Sequence, residues 1–207
     1  MALGLACCVL IATAQAPSVI VEDWSSADVA AVNLLLGLDR RHVPRGREGL
    51  PALYAELLLD RMNTGLSESG GPSRDLILRL PSRRGIDLDR RRDYLALTVN
   101  TTSEGVLPAL QFLTRYVLEA KFSGADVERA RERVLKRRDI WLSSLVEPTE
   151  DLLVRAMWNG SAGTALYGEA ESLGAIQLAD VERFQATVVS RGNTWLSLVG
   201  TGDKATA

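Results

Sequence analysis

The chain is poor in the residues that metal and redox chemistry use. Of 207 residues, one is histidine, His42, and two are cysteine, Cys7 and Cys8. A single imidazole excludes a His-rich metal centre built from this chain alone. Two adjacent cysteines with no C-x-x-C spacing exclude a zinc ribbon or a dithiol redox motif. Aromatic residues make up only 5%, which argues against a platform for stacking bases. The net charge of −2 carries no bias towards nucleic acid or an anionic membrane surface. No apolar run reaches the roughly 20 residues a membrane span needs. There is no Walker loop, no dinucleotide fingerprint and no G-x-S-x-G, so nucleotide binding and the common serine-hydrolase elbow have no support. What is abundant is apolar side chain, 46% of the total. A chain of this length can bury roughly 70% of its unfolded surface, enough for one domain with a substantial core.

Residues Met1 to Ala16 carry no charge and end in Ala14-Gln15-Ala16, a small-x-small pattern. They read as a signal peptide cut after Ala16, although no Lys or Arg stands near Met1. Cleavage there would remove both cysteines. The competing reading is a buried first strand or a wrongly chosen start. The organisation expected is therefore a leader at 1–16, one domain at 17–200 and a tail or linker at 201–207. The location follows: periplasmic or secreted if the leader is cut, cytoplasmic otherwise.

The stretch Gly49-Leu50-Pro51-Ala52-Leu53-Tyr54-Ala55-Glu56-Leu57-Leu58-Leu59 reads as an amphipathic helix, with Leu50, Leu53 and Leu57 on one stripe. Before it come two runs with strand character, Ser18–Asp23 and Val29–Leu38. The short turn between them predicts an antiparallel pair. After it, Met62–Ser73 reads as a loop and Arg74–Leu80 as a short helix stopped by Pro81. Gly85–Asp89 and Tyr94–Asn100 alternate with period two, a hairpin that points Leu95, Leu97 and Val99 to one side. A helix follows, with Thr102 or Ser103 as its cap and Leu107, Leu110, Thr114 and Val117 along one side. Ser123-Gly124-Ala125-Asp126 has the form of a capping box. It opens a helix with Val127, Ala130, Val134 and Trp141 on one face, and its many arginines read as a solvated surface with i,i+4 pairs. A helix from Pro148 to Trp158, another marked by Leu178, Val181 and Phe184, and a last strand, Thr194–Gly200, complete the order.

This order, strand, charged loop and then a helix opening on Gly-Leu, resembles one half of a pitrilysin/insulinase (inverzincin) metallopeptidase, the family that includes the mitochondrial processing peptidases. The resemblance runs from about Val19 to Gly200. It implies an α+β fold, a mixed and largely antiparallel sheet with long helices packed on one face. In active members the Gly-Leu pair leads into H-x-x-E-H, where two histidines bind zinc and the glutamate activates water. Laid on that motif, the positions here are Ala52, Ala55 and Glu56. The family's third ligand, a glutamate on the second long helix, falls at Lys136 or Arg137. A cation there would repel a metal rather than hold it. Glu56 and Glu132 remain as oxygen donors, and both read as ordinary helix-surface glutamates. A Glu56→Ala change is accordingly expected to leave the fold nearly intact.

The resemblance implies a non-catalytic half that binds no zinc. It would help enclose extended peptides beside a zinc-bearing homologous subunit or a second half of its own protein, with no nucleic acid and no membrane span. Catalytic, cofactor and metal residues are all expected to be absent. Two other classes compete. One is a stand-alone structural or binding domain. The other is a hydrolase using a different site, for which His42, in a charged turn, is the only candidate base.

Overall fold

The computed structural model describes residues 19–22, 29–38, 43–67, 85–91, 94–157, 166–190 and 192–200. The proposed leader, Cys7, Cys8, His42, the short helix at 74–80 and the tail at 201–207 lie outside the described residues.

The strands are β1 (Val19–Glu22), β2 (Ala30–Gly37), β3 (Ile86–Arg90), β4 (Tyr94–Thr101) and β5 (Thr194–Gly200). They form one sheet in the order β1-β5-β2-β4-β3. β2 pairs antiparallel with β4 on one side and β5 on the other, and β3 antiparallel with β4; β1 lies parallel to β5. The expected β1–β2 pair is thus corrected: β5, from the far end of the chain, lies between them. Local proximity favours a hairpin, but β5 has its own alternating apolar face to match to β2.

Register explains the core. Leu34 lies opposite Leu97 and Leu196, and Val32 opposite Val99 and Leu198. One face is therefore a continuous apolar ladder, with Val32, Leu36, Leu95, Leu97 and Val99 fully enclosed. The other face carries Asn33 and Thr98, also cross-strand partners, and the Thr98 hydroxyl donates to Asn33 Oδ1 at 2.9 Å. A period-two pattern with one apolar side asks for helices on that side only.

The helices supply that cover. They are α1 (Leu50–Ser67), α2 (Val106–Leu113), α3 (Gly124–Leu142), α4 (Glu147–Met157), α5 (Ala170–Gly174) and α6 (Leu178–Val188). α1 runs past Met62, where a loop was expected, to Ser67. Its interior Gly65 packs against the ring of Tyr116, where a Cβ would overlap the aromatic carbons, so close approach accounts for a glycine there. Every residue from Leu50 to Leu58 is buried, so this part of α1 is not amphipathic but central.

α2 buries Ala109, Phe112 and Leu113, and the π-helical turn Thr114–Leu118 that continues it buries Tyr116 and Val117. Leu107 is 49% exposed, so the predicted stripe is rotated: the bulky Phe112 and Tyr116 take the interior. Neither Thr102 nor Ser103 caps α2; a 3-10 turn, Ser103–Gly105, precedes it, and Gly105 stands at the cap position.

α3 starts at the expected capping box. Ser123 N–H and hydroxyl both donate to Asp126 Oδ2 at 2.7 Å, and Asp126 N–H donates back to Ser123 Oγ at 3.3 Å. Val127, Ala130 and Val134 are buried as predicted, and Trp141 is half-buried against Tyr167. α5 begins within the stretch Tyr167–Leu173.

Candidate functional site

α1 and α3 lie against each other, which the small stripe of Ala130 and Val134 permits. The spacing of four on each helix then aligns charges across the contact: Glu56 and Asp60 on α1, Arg133 and Arg137 on α3. Glu56 is 6% exposed, so its reading as a surface glutamate is corrected. Its Oε1 lies 3.0 Å from Arg133 Nε and its Oε2 3.4 Å from Arg137 Nε. Arg133 also reaches Asp60 Oδ2 at 3.0 Å. The Arg133 N–H groups are not aligned on these oxygens, so the contacts are ion pairs rather than directed hydrogen bonds. The guanidiniums are half-exposed while the carboxylate is enclosed. Burial penalises the Glu56 charge, and the two cations beside it offset that penalty.

The arginine run is therefore not a solvated face. Two local pairs, Arg129 with Asp126 and Arg131 with Glu128, do form, at i,i+3. Arg131 also reaches beyond α3, as does Arg138. Arg131 donates to the carbonyls of Leu173 (3.0 Å) and Ile176 (2.5 Å), and Arg138 donates to Gly168 O (3.2 Å) and Glu169 (3.1 Å). These bonds lock the α5 segment against α3. Gly168, at φ +73°, presses on the backbone of Gly49, and a Cβ at Gly49 would overlap Leu173. The Gly-Leu pair at the head of α1 thus has a packing reason.

A cavity of about 210 Å³ opens beside the ion pairs. Ala52, Ala55 and Glu56 line it from α1, Val134 and Arg137 from α3, and Leu88 and Arg90 from β3. Arg90 lies in register with Leu95, on the helix-covered face of the edge strand. It donates to Leu166 O at 3.0 Å and stacks 4.5 Å from the Tyr167 ring centroid. Burial lowers its pKa, as does the charge of nearby Arg137, while Tyr167 and Glu56 act the other way.

The structure brings together Ala52, Ala55, Glu56 and Arg137. It leaves out Lys136 and Glu132, which are exposed on other faces of α3. Arg133, Asp60, Arg90 and Tyr167 were not singled out from the sequence. The i,i+4 spacing of Arg133 and Arg137, matching Glu56 and Asp60, was the signal for the first two. Arg90 was marked by being charged at a position where the β3 alternation calls for an apolar residue.

These residues do not fit zinc. Laid on the family motif, Ala52 puts a methyl group where the first imidazole would be and Ala55 one where the glutamate would be, while both oxygens of Glu56, at the second imidazole's position, face guanidiniums. A dication placed there would be repelled by two fixed positive charges. Among the described residues, no three His, Cys, Asp or Glu side chains cluster so as to hold a metal ion.

No protein-family model and no curated protein matches the chain. Solved structures do. An M16 peptidase inactive domain from Pseudomonas fluorescens superposes with a TM-score of 0.72 at 16% identity, covering 92% of this chain and 46% of its own. An M16-like peptidase from Alicyclobacillus acidocaldarius gives 0.67 at 14% identity, covering 91% and 44%. A chain of complex III2 from Candida albicans gives 0.65 at 17% identity, covering 90% and 41%. The chain has the pitrilysin-type α+β fold, and it spans less than half the length of each of these structures.

Proposed function

We propose that this chain is a non-catalytic, zinc-free member of the pitrilysin/insulinase family. It acts as the peptide-enclosing or partner-binding half beside a zinc-bearing homologue, supplied as a separate subunit or as a second half. The observation that carries this reading is the pairing of Glu56 with Arg133 and Arg137 where active relatives gather metal ligands. The fold shared with an inactive M16 domain supports it. So does the edge position of β3, which can accept an extended peptide as a further strand. A partner surface is available on α4 and the turn before it, where Leu145 is 89% and Met157 70% exposed. No described helix is long and apolar enough to cross a membrane. Removal of residues 1–16 on export belongs to the same proposal and is checked by N-terminal sequencing of the native protein.

Metal analysis and a peptidase assay on the purified chain, with co-purification from the native source, test the reading. Substoichiometric zinc, no chelator-sensitive cleavage and recovery of a homologue bearing H-x-x-E-H are expected. Stoichiometric zinc with chelator-sensitive cleavage would overturn it. Recovery of the chain without any homologue would favour a stand-alone binding domain.

A further inference from the structure

The cavity beside Glu56 has an excess of cations. Arg90 and Arg137 both line it, and Glu56 is its one acidic wall residue, already contacted from two sides. Neither the Leu166 carbonyl nor the Tyr167 ring neutralises Arg90. Arg137, its side chain 53% exposed, has among the described residues one carboxylate oxygen, at 3.4 Å from its Nε, and a guanidinium carries five N–H donors in all. Two guanidiniums converging on a space of about 210 Å³ form a receptor for a planar anion with two oxygens.

The shape of the surroundings narrows the ligand. Arg90, Arg137 and Tyr167 also line an adjoining cleft of about 700 Å³, so a group held in the small cavity can extend outward. Beyond the two shared arginines the cleft is lined by Trp141, by Arg91 and, from α4, by Glu147, Glu150 and Asp151, so its outer part carries more acid than base. A wholly anionic ligand would be repelled there; one with a single negative end and a neutral or cationic body would not. Arg90 closes the edge strand, where an extended chain can pair.

We propose that this cavity is a carboxylate-binding site and that it takes the free C-terminus of an extended peptide. The peptide as the source of the carboxylate rests on the enclosing role argued above; the anion site itself does not.

The test titrates the full chain, by calorimetry, with N-acetylated Ala-Leu-Ala-Leu-Ala as the free acid and as the C-terminal amide. The acid is expected to bind at least roughly tenfold tighter, the scale of a charge-assisted contact. Arg137→Gln should erase the difference. That variant keeps Arg133 on Glu56, and a single cooperative thermal transition shows that it is folded. Arg90→Gln is the second variant and should act alike. Equal binding of acid and amide overturns the carboxylate site while leaving peptide enclosure standing. If neither peptide binds but benzoate raises the midpoint of the parent and not of Arg137→Gln, the anion site stands and the peptide source is overturned. No response to either peptide or to benzoate overturns both parts. Zinc content and co-purified homologue are read separately, so failure here is distinct from failure of the proposed function.

Discussion

At the scale of single residues, burial decides what each polar group does. The Tyr54 hydroxyl is enclosed, with rings of Phe122 and Phe184 packed edge-on, and has no hydrogen-bond partner among the described residues. Burial alone raises its pKa above the ordinary tyrosine value. Tyr54→Phe removes a group that lost its water without replacement, so stability should rise by up to about 1 kcal/mol, read by urea unfolding. Glu56 is the opposite case, a buried charge with partners. The double change Arg133→Met and Arg137→Met strands the carboxylate and should cost roughly 3 kcal/mol. Adding Glu56→Leu should recover most of the loss, because no charge then remains to solvate; three urea curves check the asymmetry. The expectation that Glu56→Ala is nearly silent rests on a surface glutamate, and Glu56 is buried.

At the scale of elements, carboxylates at helix starts set the response to acid. Asp126 is held below the usual carboxylate range first by the Ser123 hydroxyl and then by the Ser123 N–H and Arg129. For Asp180, burial pushes upward, but the Gln177 N–H at 3.0 Å together with Arg47 and Arg183 outweighs it, and the net shift is down. A depressed folded-state pKa means that the unfolded chain takes up protons first as pH falls. The stabilisation is therefore complete above the unfolded carboxylate value of about 3.9 and is lost as pH drops through the folded value. The stability gap between the parent and Asp180→Asn should be constant from about pH 5 to 7 and shrink below about pH 4, measured by denaturation at each pH. Arg47 adds a tertiary link, since its ion pair with Asp180 at 3.1 Å ties the loop before α1 to α6.

At the scale of the whole molecule, one face of the sheet is covered by helices and α4 keeps its apolar side outward. Leu152 is 63% and Leu153 59% exposed. The double change Leu152→Glu and Leu153→Glu should leave the thermal midpoint within about a degree or two, as exposed substitutions do. On the proposed function it should abolish recovery of the homologous partner in co-purification. A partner retained in full would move the contact elsewhere on the surface.

Much of this was legible along the chain, because local patterns carry it. The alternation of Leu95, Leu97 and Val99, the Ser123 capping box and the apolar spacing of Val127, Ala130 and Val134 each act within a few residues, and each is found where the pattern puts it. That Ala52, Ala55 and Glu56 offer one carboxylate and no imidazole was equally readable, being a matter of which atoms the side chains possess. Other features depended on elements distant in sequence. The place of β5 between β1 and β2, the burial of α1 from Leu50 to Leu58, and the turning of Arg133 and Arg137 onto Glu56 were decided only when the elements packed. Periodicity says which side of a helix is apolar, but not how many neighbours enclose it. A charge on a helix face has a meaning only once the opposing face is known.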